Sequence, residues 1–189
     1  MKRSLVILGF SVLLLGCGLG PDMTKDRVPR PPSPTPFVPE KPIAEYMSEG
    51  RAAYHAGNFS EAVNSYKRAF DIEQREHRLE KKDLHELLKN LGLSYSRIGD
   101  SKNARLIAAY GLSKEYGYPI YHYVLACTYG DEGIEANALY HLQTMYSLRG
   151  KLPAGEKLPD PLSENCFASF SDSETFKKGI ATMKHSKGQ

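Results

Sequence analysis

The side chains with the most latent chemistry in this 189-residue sequence are three thiols and six imidazoles. Cys127 and Cys166 sit in neither C-x-x-C nor C-x-x-C-H, so no dithiol redox motif and no haem attachment follows from them. His55, His77, His85, His122, His141 and His185 are scattered. No two have the i, i+4 spacing, with a nearby acid, of a helical zinc site. Ser65-Tyr66-Lys67-Arg68 and Ser94-Tyr95-Ser96-Arg97 miss S-x-x-K, and there is no G-x-S-x-G turn or glycine-rich phosphate loop. Catalytic residues, metal ligands and cofactors are therefore not expected, and the chain reads as a non-enzyme.

The third thiol has a different setting. Lys2 and Arg3 precede an apolar run, Leu5 to Leu15, interrupted by Gly and Ser alone. That run is shorter than the roughly 20 apolar residues a membrane span requires, and its flanks are those of an export signal. Its end, Leu14-Leu15-Gly16-Cys17, resembles the lipobox of bacterial lipoproteins. The resemblance implies that residues 1–16 are a signal peptide and that Cys17, acylated on sulfur, becomes the first mature residue. Each CH₂ of an acyl chain buried in a membrane contributes about 0.8 kcal/mol, so several chains anchor stably. Gly18 stands where inner-membrane lipoproteins of many Gram-negative bacteria carry Asp, which favours the outer membrane, facing the periplasm. Residues 17–42 continue as a tether rich in proline (Pro29 to Pro42), which excludes helix and sheet and favours extended polyproline II. Pro31 and Pro34 also satisfy P-x-x-P, a weaker docking signal.

These thiols and imidazoles must be positioned by helices. Leu91, Gly92, Tyr95, Gly99 and Ala104 recur thirty-four residues later as Leu125, Ala126, Tyr129, Gly133 and Ala138. A fixed period of this length marks stacked helical hairpins, each with an apolar face it cannot bury alone. Gly50, Tyr54, Gly57, Phe59, Ala62, Tyr66 and Ala69 give a further copy, with Ser60 as a plausible N-cap. This pattern resembles the tetratricopeptide repeat, a 34-residue helix-turn-helix. It implies an all-α solenoid of about three repeats over 43–150 (about 43–76, 85–118 and 119–152), with a loop and capping helix over 151–189. Gly57 and Gly99 are 42 apart. The extra residues fall in the charged stretch Glu73 to Leu84, and the resemblance to a 42-residue variety implies that both flanking helices lengthen by about a turn. Mixed charge of this kind reads as a solvated face.

In stacked tetratricopeptide hairpins the first helix of each repeat lines the concave surface. By that resemblance the first repeat presents Met47, Arg51, Tyr54 and His55. The second presents Lys89, Leu93, Ser96 and Arg97, and the third Tyr123 and Cys127. Aromatic, aliphatic and cationic side chains together suit an extended peptide or partner helix of some acidic character. The plainer alternative is a shallow curve whose residues are merely solvated. Asn90 could match one member of a family carboxylate clamp, but its partners are missing.

After Gly150 three prolines and Gly155 exclude a long helix. Phe167, Phe170 and Phe176 then fall within ten residues, with Asp172 or Ser173 as the cap of a short helix to about Met183, and together they cover the last hairpin. Cys127 and Cys166 are candidates for a disulfide, which a cell-envelope location permits, with buried free thiols the commoner state. The formal charge of +3 falls to about +1 once Lys2 and Arg3 are removed, leaving no basic excess for nucleic acid. The reading is a lipid-anchored envelope scaffold for an unidentified protein or peptide partner. A self-associating homodimer is the alternative, and an envelope hydrolase has no residue to support it.

Overall fold

A computed structural model of the chain describes residues 41–186, so the signal peptide 1–16, Cys17 and nearly all of the tether 17–42 lie outside the described residues. Every regular element among the described residues is helical. Helices α1 (Ile43–His55) and α2 (Phe59–Glu76) form a first hairpin, α3 (Lys81–Arg97) and α4 (Ser101–Lys114) a second, and α5 (Pro119–Asp131) and α6 (Glu135–Ser147) a third. Three 3₁₀ turns follow, at Arg149–Lys151, Pro161–Ser163 and Asn165–Phe170, then α7 (Glu174–His185).

The same backbone turn closes all three hairpins. Gly57, Gly99 and Gly133 have φ of 77°, 78° and 74°, a left-handed conformation that glycine alone adopts without a Cβ penalty. In each, the following N–H reaches back to the preceding helix: Asn58 to the Ala53 carbonyl, Asp100 to Tyr95, Ile134 to Tyr129. Orphan carbonyls at the helix ends are thereby satisfied. The Asp100 carboxylate accepts from the Asn103 N–H and starts α4, while Pro119 supplies the first turn of α5. Ser60 is not a cap. It lies inside α2, whose N-cap is Asn58, because the helix starts two residues earlier than a cap at Ser60 would give.

Each first helix packs against the second helix of the hairpin before it, and α1, α3 and α5 lie side by side. Small residues let them approach: a Cβ on Gly92 would stand 2.7 Å from Val124 Cγ1, so α3 and α5 meet where no side chain intervenes. Leu91, Ala104, Ala126 and Ala138 are fully buried, and Leu125 and Tyr129 half-buried. The three phenylalanines behind the last hairpin are also buried. Residues 165–170 pack on α5 and α7 packs on α6, extending both rows with a shortened first element. Ser173 caps α7, accepting from the Phe176 N–H at 3.2 Å.

The charged stretch is not wholly solvated. Helices α2 and α3 run for 18 and 17 residues, against 13 or 14 in the other hairpin helices. Between them Glu73 is buried, 5% exposed, and one of its oxygens accepts from the Arg78 and Leu79 N–H groups at 2.9 and 2.8 Å. His77, at φ 49°, turns the chain toward that carboxylate. Two buried polar contacts lie beneath. Asn90 Nδ2 donates to Tyr66 Oη at 2.9 Å, joining the first and second hairpins. His122 and His141 place their Nδ1 atoms 3.3 Å apart between α5 and α6, and His122 Nε2 is buried without a partner.

Asn90→Ala leaves the buried Tyr66 hydroxyl unpaired and is expected to cost about 1–3 kcal/mol in denaturant unfolding. Tyr66→Phe should cost a similar amount, and the double variant less than the sum; simple additivity would show that the bond does not couple the hairpins. The histidine pair adds a pH dependence. Burial lowers the His122 pKa, and burial together with its neighbour lowers that of His141 from 6.5 to about 4. Protons therefore bind the unfolded chain first, and stability is expected to fall as pH drops from about 6.5 toward about 4. His122→Gln/His141→Gln should flatten that slope, and an unchanged slope would refute the assignment.

Candidate partner-binding cleft

Side by side, α1, α3 and α5 form one wall of a cleft of about 540 Å³, and the tail between Leu152 and Glu164 forms the other. Helix α1 contributes Arg51, Tyr54 and His55. From α3 come Lys82, Glu86, Lys89 and Leu93, spaced along one face over three turns. Tyr118, Ile120 and Tyr123 reach it from the start of α5, and Glu156, Lys157 and Glu164 face them from the tail.

Six residues expected on the concave surface meet here: Arg51, Tyr54, His55, Lys89, Leu93 and Tyr123. Four do not. Met47 is 5% exposed and belongs to the core, because α1 turns that position inward toward α2. Ser96 donates to Asp131 Oδ2 at 2.6 Å and Arg97 to Oδ1 at 3.0 Å, so both are engaged in joining α3 to the end of α5. Cys127 is 1% exposed and disulfide-bonded to Cys166, with Cα atoms 5.1 Å apart. That separation is ordinary for the bond. Asn90 lines the cleft floor, but its amide is committed to Tyr66.

Lys82 was missed because the extra turn at the start of α3 carries it, outside the shared period. His85 and Glu86 lie within that period, 34 residues before Pro119 and Ile120, at helix-start positions that the expected groove did not include. The tail residues had no periodic signal at all. Their place depends on the chain reversing at Gly150 and on the Cys127–Cys166 bond.

The charges are unevenly used. Arg51 binds Glu86 through both Nε and Nη2, at 2.7 and 3.0 Å, and this bidentate carboxylate raises the guanidinium pKa further. Tyr118 donates to Glu156 at 2.7 Å, and the Glu164 carboxylate lies near the Tyr123 phenol. Burial first, and then the neighbouring carboxylate, push both phenol pKa values well above the usual range, so both remain donors. His85 is buried, stacked on Tyr118 with ring centroids 3.8 Å apart, and bonded to Glu115 at 2.8 Å. Burial would raise the Glu115 pKa, but the Lys81 and His85 donors outweigh it and hold it below the ordinary value. Lys82, Lys89 and Lys157 make no hydrogen bond or ion pair among the described residues. No group of three or more potential ligand side chains able to hold a metal occurs among the described residues.

The tail wall is fastened by the disulfide together with the Tyr118–Glu156 and Lys184–Asp160 bonds and Leu152 and Leu158 against the core, while residues 153–157 are exposed with one backbone turn bond, Glu156 N–H to the Pro153 carbonyl. Closing a loop between residues 39 apart stabilises by about 2–4 kcal/mol. Dithiothreitol is therefore expected to lower the melting temperature by about 5–15 °C. Hydrogen exchange should rise first in residues 152–166, and a midpoint indifferent to reductant would contradict the pairing. Compared with protein-family models and with curated proteins, the chain matches none.

Proposed function

We propose that this chain is a tetratricopeptide-repeat lipoprotein, a non-catalytic scaffold held at the periplasmic face of the outer membrane through acylated Cys17. The observation that carries the docking role is the cleft itself: the first helices of three successive hairpins converge on it, with His55 and Lys82 exposed, Tyr54 and Lys89 half-buried, and the Tyr118 and Tyr123 rings buried in its wall. Tyrosine and arginine are frequent hot-spot side chains of protein interfaces, and a polypeptide segment fits a groove walled by helices. The repeat assignment is supported by the 34-residue recurrence and by three hairpin turns with one glycine conformation. Exposure to an oxidising compartment is supported by the Cys127–Cys166 disulfide, a bond rare in reducing cytosol. The anchor rests on Leu14-Leu15-Gly16-Cys17. No helix among the described residues is long and apolar enough to cross a membrane.

Three measurements test this reading. Cys17→Ser should move the protein from the membrane fraction to the soluble fraction, and retention in the membrane would sink the lipid anchor. A photocrosslinker at position 54, in the native envelope, should capture a discrete protein partner, while the same group at the core position 47 should not. Light scattering that found a stable dimer covering the cleft would replace recruitment with self-assembly.

A further inference from the structure

The tail that walls the cleft is itself a chemical precedent. Residues 152–164 are proline-interrupted and acidic, with Glu156, Asp160 and Glu164 against the single Lys157. This segment passes α5 with the Glu156 carboxylate on the Tyr118 phenol and the Glu164 carboxylate near that of Tyr123. The face of a first helix thus already holds an acidic chain that is neither helix nor strand over residues 156–160. One hairpin earlier, at the position 34 residues before Tyr123, stands Lys89. The tail does not satisfy it. Lys82 lies two turns before it on α3, and Lys157 projects from the opposite wall.

The charges left over differ between the two sides of the cleft. On the α1–α3 side Glu86 is neutralised by Arg51, and Lys82 and Lys89 have no partner among the described residues. On the α5 side the neutral Tyr118 phenol does not cancel the charge of Glu156, Glu164 stands near Tyr123, and Lys157 has no partner among the described residues. We infer that the half of the cleft formed by α1 and α3 takes an acidic, extended polypeptide segment, laid beside the tail with its carboxylates on Lys82, Lys89 and Lys157 and its apolar groups on Tyr54 and Leu93. The inference rests on the cleft being the docking site of a protein partner. A polypeptide fits better than a polyphosphate for a physical reason. Glu156 and Glu164 keep lone pairs that can accept backbone N–H groups, and they would repel an unbroken row of phosphates.

The test is fluorescence anisotropy on the full-length protein in detergent, with a labelled peptide of alternating Glu and Pro and its Gln-Pro counterpart. The Glu-Pro peptide should bind at least about tenfold more tightly than Gln-Pro, and added salt should weaken it. Lys82→Gln/Lys89→Gln/Lys157→Gln should lose about tenfold in affinity at an unchanged melting temperature, since these side chains support nothing else. Equal binding of the two peptides, or an indifferent triple variant, would overturn the inference. So would a single-stranded oligonucleotide that displaces the Glu-Pro peptide as well as that peptide displaces itself. If position 54 still crosslinks a protein in the envelope while Glu-Pro fails to bind, the acidic chemistry alone is refuted. If position 54 captures nothing, the docking site falls and the inference with it.

Discussion

Each hairpin leaves an apolar face that it cannot bury within itself, and the next hairpin is the surface that covers it. Everything else follows from that dependence. The contact is made close by small residues, with Gly92 admitting Val124 and Gly111 admitting the Tyr121 ring. Close approach removes water from Asn90 and Tyr66, so those two must satisfy one another. It also confines His122 and His141 to a space in which neither readily carries charge. The last hairpin has no fourth one to meet it, and the phenylalanine tail takes that place. Because the tail must also return past α5, it becomes a wall of the cleft.

Around this apolar contact runs a set of polar ties between successive hairpins. Arg51 reaches Glu86, Ser96 and Arg97 reach Asp131, and Arg105 reaches Glu132. Individually such exposed pairs contribute at most about 1 kcal/mol. Their effect on function is larger than their effect on stability, because they decide which charges remain available. Arg97 is neutralised at the rim, and Arg51 at the cleft, so the unmatched cations come from lysines on α3 and the tail. On the proposed reading, pairing within the chain sets which charges a partner would meet.

The architecture was legible where it repeats. Gly99 and Gly133 announced hairpin turns, and the extra residues between Glu73 and Leu84 announced longer helices, since a period constrains geometry directly. Six cleft residues could be named because the register of α1, α3 and α5 fixes which side faces neighbours. The failures have local causes. Spacing identifies a helix face but not what arrives from elsewhere to cover it, so Ser96 and Arg97 looked free until Asp131 came beside them. Met47 faces the core because its turn of α1 is wedged against α2. Glu73 looked like one more solvated carboxylate, and its burial depends on a chain reversal at His77 that composition does not encode. The tail carries no period, so its return along α5 could not be placed.

The lengths of α2 and α3 have a consequence for how such a chain can change size. Adding about four residues to a helix carries it slightly more than one full turn, so the side chains beyond the addition return to nearly the same azimuth. The 42-residue spacing between Gly57 and Gly99 is met by two such additions, one on either side of the Glu73 turn. Two or three residues on one side alone would have rotated Tyr66 or Asn90 out of the interface. Growth here is phase-locked: the interval between hairpins can lengthen in whole turns on both arms at once, and the new rim that results brought Lys82 to the cleft.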